Sequence, residues 1–211
     1  DNTAPEMSQF TLLFWLNFSG EYGMTVLTYS AEGNHQEIRI TINGQALWFR
    51  VQTGSVTLKI IQINDGRWHH MAYTWSLQDY SVYFDGTLTH TGSGLGLPNP
   101  VKGGGTFHVG QRFEDDGTYD TGKSFEGKLS QLNVWNEILT ADEIKSISKS
   151  CYNNVGTILD WSLLADAARG AVYKTHLGDC KTLRNNPSYD IVMLANASKS
   201  TEESYILSSI S

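Results

Sequence analysis

At 211 residues, 40% of them hydrophobic and with 6 Trp, 10 Tyr and 8 Phe, the chain has the apolar surface for one large core and falls outside the disordered class. A formal net charge of −7 sets it against nucleic acid, whose phosphates demand a basic stripe that the sequence lacks. The longest apolar runs, such as residues 10–16, are too short to span a bilayer.

From Phe10 to about Gly110, short β-rich runs alternate with turn signals. Strands are predicted over 10–18, 24–29, 37–42, 46–51, 55–63, 69–75, 80–84 and 106–109. Asn43-Gly44, Asp65-Gly66 and Asp85-Gly86 tolerate positive φ, and the first and third stand between alternating runs, as hairpin turns do. Residues 80–90 alternate apolar and polar on both sides of Asp85-Gly86 and read as a half-buried hairpin. The Gly- and Pro-rich stretch 92–105 reads as a surface loop. One strong helix start follows at Thr140, where the hydroxyl caps the helix and Glu143 reaches back, with Ile144 and Ile147 on one face. Eight or more strands and one short helix predict an all-β fold, a two-sheet antiparallel jelly-roll sandwich in one domain.

Cys151 and Cys180 suit one loop-closing disulfide in an oxidising compartment better than a metal site needing four ligands; two free thiols in a cytosolic protein are the alternative. Asn17-Phe18-Ser19 and Asn196-Ala197-Ser198 are glycosylation acceptor patterns. Both features point to a secreted or extracellular protein.

Enzymatic constellations are not found. His69 and His70 are adjacent and point to opposite faces of a strand, and no Gly-x-Ser-x-Gly elbow, His-Glu-x-x-His or Gly-Lys-Ser loop occurs. Glu114 and Asp120 are the only pair to propose for a glycosidase, and both fall in one acidic loop. The expectation is a binding module with no catalytic residues. If it holds a glycan, Trp48, Tyr80 and Tyr119 are the rings to test against the ordinary alternative of core packing.

The run Trp68-His69-His70-Met71-Ala72-Tyr73-Thr74-Trp75 resembles the pentraxin signature. The resemblance extends to the aromatic strand at 10–15, to Gly110-Gln111 with its acidic loop, and to Ser124-Phe125-Glu126-Gly127, Leu132-Asn133-Val134-Trp135 and 139–144. Cys151 and Cys180, with Trp161 between them, resemble the final segment of the neuronal-pentraxin subgroup. The resemblance covers residues 7–181 and implies a laminin-G or concanavalin-like jelly roll acting in recognition and self-association.

Two departures follow from it. The disulfide usual in the family would fall at Leu13 and Ala72, a large and a small apolar residue able to fill the vacated volume. The family's two calcium ions would fall on His35, Gln36, Arg112, Phe113, Glu114, Asp120 and Lys123, and calcium needs six to eight oxygens, which Phe, Arg and Lys do not supply. No cofactor is therefore required. Two outcomes stay open for Glu114, Asp115, Asp116 and Asp120: a solvated acidic loop, or one re-registered calcium ion.

The family's opening strand has no counterpart before Phe10, yet the C-terminal residues resemble it, with Tyr205 and Leu207 alternating as buried strand positions do and Ile210 adding another. The expected organisation is a sandwich over 1–181, a connector over 182–199 and a strand over 200–211. That strand completes either its own chain by circular permutation or a neighbour by head-to-tail strand complementation. The expected partners are the chain itself and a glycan or protein ligand; a calcium-independent or single-calcium lectin, or a receptor-ectodomain module, is the alternative to a self-assembling one.

Overall fold

The computed structural model describes residues 4–33, 35–60, 62–150, 155–162 and 164, together with the backbone of 172–176 and 190–194. Strand alternation sorts the chain into two antiparallel sheets. In the larger, β1 (Gln9–Asn17) lies between β6 (His69–Ser76) and β12 (Gly127–Trp135). β7 (Asp79–Phe84) and β8 (Thr87–Gly92) extend it past β6, and β14 (Asp190–Leu194) and β13 (Val172–His176) extend it past β12. The smaller runs in the order β5 (Gly54–Lys59), β4 (Ala46–Val51), β3 (His35–Asn43), β2 (Met24–Ala31), β9 (Thr106–Val109). A two-stranded ribbon, β10 (Arg112–Phe113) with β11 (Tyr119–Asp120), stands apart from both.

The eight predicted strands are all present, with ends moved by a few residues; 55–63 is the largest change, since β5 stops at Lys59. The long β12, the ribbon and β13 were not anticipated. Within the stretch 182–199, expected as a connector, residues 190–194 form β14, which pairs with β12 through Leu129 opposite Val192. Cys151, Cys180, Asn196, Tyr205, Leu207 and Ile210 lie outside the described residues.

The sheets close on an aromatic core. Phe10 stacks on Trp75 at 5.6 Å and Phe14 on Tyr73 at 6.0 Å, while Phe49 crosses from the small sheet to meet Tyr73 at 5.0 Å. The 92–105 loop is pinned down rather than loose. Trp75 Nε1 donates to Leu95 O, Tyr29 Oη to Lys102 O and Gln52 Nε2 to the carbonyls of Asn99 and Pro100, and Leu95 and Val101 are buried.

A second, smaller cluster lies on the other face of the large sheet. The helix α1 (Ala141–Ile147) starts with the expected reciprocal cap between Thr140 and Glu143 and presses Ile144 and Ile147 onto Leu13, Ala72, Tyr83 and Trp135. Leu13 and Ala72 are direct cross-strand partners and both fully buried. The pair that resembles a vacated disulfide is packed as apolar core.

The signature histidines take separate roles. His69 is held between Asp85 (Nδ1 to Oδ2, 2.9 Å) and Asp65 (Nε2 to Oδ1, 3.1 Å), tying two turns together, and Asp85 also accepts from the His70 amide. His70 is fully buried on the opposite face beside Trp15, and neither ring nitrogen has a hydrogen-bond partner.

Candidate ligand-binding face

Alternation along β3 and β4 sends Ile38, Ile40, Ile42, Leu47, Phe49 and Val51 into the core. The intervening Arg39, Thr41, Trp48 and Arg50 stand half-buried on the outer face of the small sheet. The register then sets them side by side, Thr41 opposite Trp48 and Arg39 opposite Arg50. Two like charges directly opposed across an antiparallel pair are unfavourable, so this patch is built against the ordinary preference for opposite charges.

The ribbon folds over one side of this face. His108 on β9 anchors it: Phe113 stacks on its ring at 4.2 Å, Tyr119 Oη meets Nδ1 at 2.9 Å and Ser30 Oγ meets Nε2 at 2.9 Å. Burial pushes the His108 imidazole down to about 4, so it is neutral at physiological pH and links Ser30 to Tyr119.

The ribbon also brings in a third guanidinium. Arg112 pairs with Glu114 (Nε to Oε1, 2.5 Å), Glu114 Oε2 accepts from Gln36 Nε2 at 2.8 Å, and Gln36 Oε1 accepts from Arg39 at 2.5 Å. Asp115 Oδ1 accepts from the Gln36 amide at 3.1 Å. Burial, then the neighbouring Arg112 and Arg50, pushes the Arg39 guanidinium down to about 10, with Glu114 and Asp115 opposing.

The four loop carboxylates do not converge. Glu114 and Asp115 meet at Gln36, whereas Asp116 accepts from the amide and hydroxyl of Thr118, and Asp120 from the Gly122 amide, each serving its own turn. Among the described residues no group of three or more His, Cys, Asp or Glu is placed to hold a metal ion. Calcium does not fit this donor set: Arg39 and Arg112 stand among the acids, and the Glu114 oxygens are taken by Arg112 and Gln36. Glu114 and Asp120, the glycosidase candidates, are not brought into one hydrogen-bond network either.

Of the three candidate rings, Tyr80 packs against Phe49 on the core side and Tyr119 is tied to His108 and Phe113. Trp48 alone of them makes no ring contact among the described residues and faces outward beside Thr41. Asn17 ends β1 half-buried, its Nδ2 donating to Gly66 O at 2.7 Å. Arg39 and Arg50 were not singled out from the sequence. Their signal was the alternation of Glu37–Ile42 and Ala46–Val51 around a turn.

Residues 1–145 match the family model described as the concanavalin A-like lectin/glucanases superfamily. The chain belongs to that superfamily. Within it the sequence is similar to pentraxins. It is 32% identical over 181 residues to the Sushi, von Willebrand factor type A, EGF and pentraxin domain-containing protein 1 of Rattus norvegicus, covering 82% of this chain and 5% of that protein. It is 32% identical over 163 residues to neuronal pentraxin-2 of Homo sapiens, covering 75% and 38%. The chain thus spans well under half the length of these relatives. The heptameric SAP-like pentraxin of Limulus polyphemus shares the fold at a TM-score of 0.65 and 20% identity, over 93% of this chain and 88% of that one. Among the described residues no helix is long and apolar enough to cross a membrane.

Proposed function

We infer that the chain is a non-enzymatic extracellular recognition module that binds an acidic saccharide on the outer face of its small sheet without calcium. The observation that carries this reading is the opposed pair Arg39 and Arg50 beside Trp48, under the Arg112 roof. Neighbours on one strand face lie about 6.7 Å apart, close to the span of one sugar ring, so a ring on Trp48 places its acid group at Arg50. An anion shared by the opposed guanidiniums of Arg39 and Arg50 would turn their repulsion into attraction.

On immobilised sialylated and sulfated glycans in the presence of EDTA, the protein should bind. Arg50→Glu and Trp48→Ala should each weaken binding at least about tenfold, as loss of a charge-assisted contact or a stacking platform does. Binding that appears only when calcium is added, or that survives both substitutions, would sink this reading.

A second reading, self-association, is favoured by the strand β14, which brings C-terminal residues into the large sheet, and by the heptameric state of the similar Limulus protein. In it, Tyr205, Leu207 and Ile210 complete a sheet of the same or a neighbouring chain, Cys151 and Cys180 are bridged, and Asn17 and Asn196 carry glycans. Deleting residues 200–211 should lower the melting temperature or the particle mass measured by light scattering. If neither changes, the tail is no strand of the sandwich.

A further inference from the structure

The outer face of the small sheet does not end at Trp48. Register and alternation set its side chains in rows across β3, β4 and β5: Arg39, Arg50 and Ser55; Thr41, Trp48 and Thr57; Asn43, Ala46 and Lys59. Arg50, Trp48 and Ala46 therefore stand in line along β4, each about 6.7 Å from the next. Ala46 is the smallest side chain in these rows, and at its end of the face lies a hollow of about 400 Å³, a volume ordinary for a small-ligand site. Glu21, Asn43, Gln45, Ala46, Thr57 and Lys59 are among its lining residues.

The backbone holds this hollow in shape. Gly44 takes a φ of 55°, which closes the β3–β4 hairpin in two residues, and Ile60 N donates to Gln45 O at 2.9 Å, tying the end of β5 to that turn. Glu21 comes in from the β1–β2 loop, its Oε2 3.8 Å from where a Cβ on Gly44 would sit. The lining differs in charge from the ground beside Trp48. One acid, Glu21, and one base, Lys59, balance each other, and Asn43 and Gln45 each offer both donors and an acceptor. Asn43, Gln45, Thr57 and Lys59 are exposed, so each can turn toward a ligand. Balanced donors and acceptors without net charge suit the hydroxyls of an uncharged sugar.

We propose that the hollow at Ala46 is a second subsite, which takes an uncharged sugar joined to an acidic one lying on Trp48. This rests on the acidic-saccharide reading and narrows it. With the acid group at Arg50 and the second sugar at Ala46, the linkage must leave the first ring away from its acid group. A hexuronate carries the two on different ring carbons and meets that demand. In a sialic acid the carboxylate and the glycosidic linkage share the anomeric carbon, so a ring that sends its acid to Arg50 sends its neighbour there too. The ligand is therefore a hexuronate-bearing disaccharide unit, and a sialoside uses Trp48 and Arg50 alone.

NMR titrations of the full chain in EDTA would compare the methyl glycoside of glucuronic acid, glucuronic acid β-linked to N-acetylgalactosamine, the methyl glycoside of sialic acid, and sialic acid α-linked to galactose. The glucuronyl disaccharide should bind at least about fivefold tighter than its methyl glycoside, whereas the sialyl pair should differ by less than about twofold. Ala46→Leu fills the hollow and should abolish the disaccharide's advantage while leaving the affinity for the methyl glucuronide unmoved. Gln45→Ala, at an exposed turn position that the fold tolerates, should reduce the advantage as well. Equal affinity for the two glucuronides, a gain as large in the sialyl pair, or an advantage that survives both substitutions would overturn the second subsite and leave the Trp48 face standing. Failure of all four compounds to bind would overturn both.

Discussion

Replacing Ala72 by Asp is expected to destabilise the protein by about 3–5 kcal/mol, the cost of a buried charge with no partner. Ala72 has no exposed surface, lies between Leu13 on β1 and Tyr83 on β7, and shares its cluster with Trp135, Ile144 and Ile147, all apolar or aromatic. A carboxylate there has two escapes. It can take up a proton, or it can lift α1 off the sheet and expose Ile144 and Ile147. Urea unfolding should therefore show a lower midpoint at pH 7 and a smaller deficit near pH 4, where the carboxyl is neutral. As a control, the double substitution Leu13→Cys with Ala72→Cys puts thiols on directly opposed backbone positions, within the reach of a disulfide. Its oxidised form should melt above its reduced form. An unchanged midpoint for Ala72→Asp would mean that β1 and β6 are not in the register described.

Much of this architecture is legible in the sequence because it rests on period-two alternation and a few strong turn residues. Asp85 and Gly86 both adopt positive φ at the β7–β8 turn, as that dipeptide predicts. The helix cap is equally plain at Thr140 and Glu143. The failures have physical causes. The β6–β7 turn is made by Leu77 and Gln78, both at positive φ without a glycine or asparagine to announce it; bonds from the Leu77 amide to Ser8 O and from the Leu95 amide to Gln78 O hold it. Asn43-Gly44 marks a turn correctly, yet the two turn residues are Gly44 and Gln45, since Asn43 pairs with Ala46. Counting outward from Asn43-Gly44 as the turn pair puts Arg39 opposite Trp48 and hides the opposed arginines. Register, rather than strand location, kept the candidate face out of sight.

Acidification from pH 6.5 to pH 4 is expected to destabilise the protein steeply, and two histidines account for it. His70, fully buried with both nitrogens unpartnered, is pushed down to about 4 by desolvation, with Asp85 opposing only in part. His108 is pushed down to about 4 by the same cause. In the unfolded chain both titrate near 6.5, so below that pH the unfolded state binds protons that the native state refuses. The stability they contribute is complete above pH 6.5, falls as pH drops toward 4, and levels off below it. The cost is on the order of 3 kcal/mol for each histidine, less if the ribbon opens to let His108 ionise locally. Carboxylates held low by hydrogen bonds contribute in a lower window. Asp116 is lowered by the Thr118 hydroxyl and amide, Asp65 by the Arg67 amide and Glu143 by the Thr140 amide, and each loses its contribution as pH falls through its lowered pKa. His70→Leu removes two unsatisfied nitrogens and one titration together. It should leave stability at pH 7 unchanged or raised and cut the loss between pH 6.5 and 4 by about half, because only His108 remains. Urea midpoints measured across that range decide it. A flat wild-type curve, or a His70→Leu curve parallel to the wild type, would show that His70 is not held neutral in the folded protein.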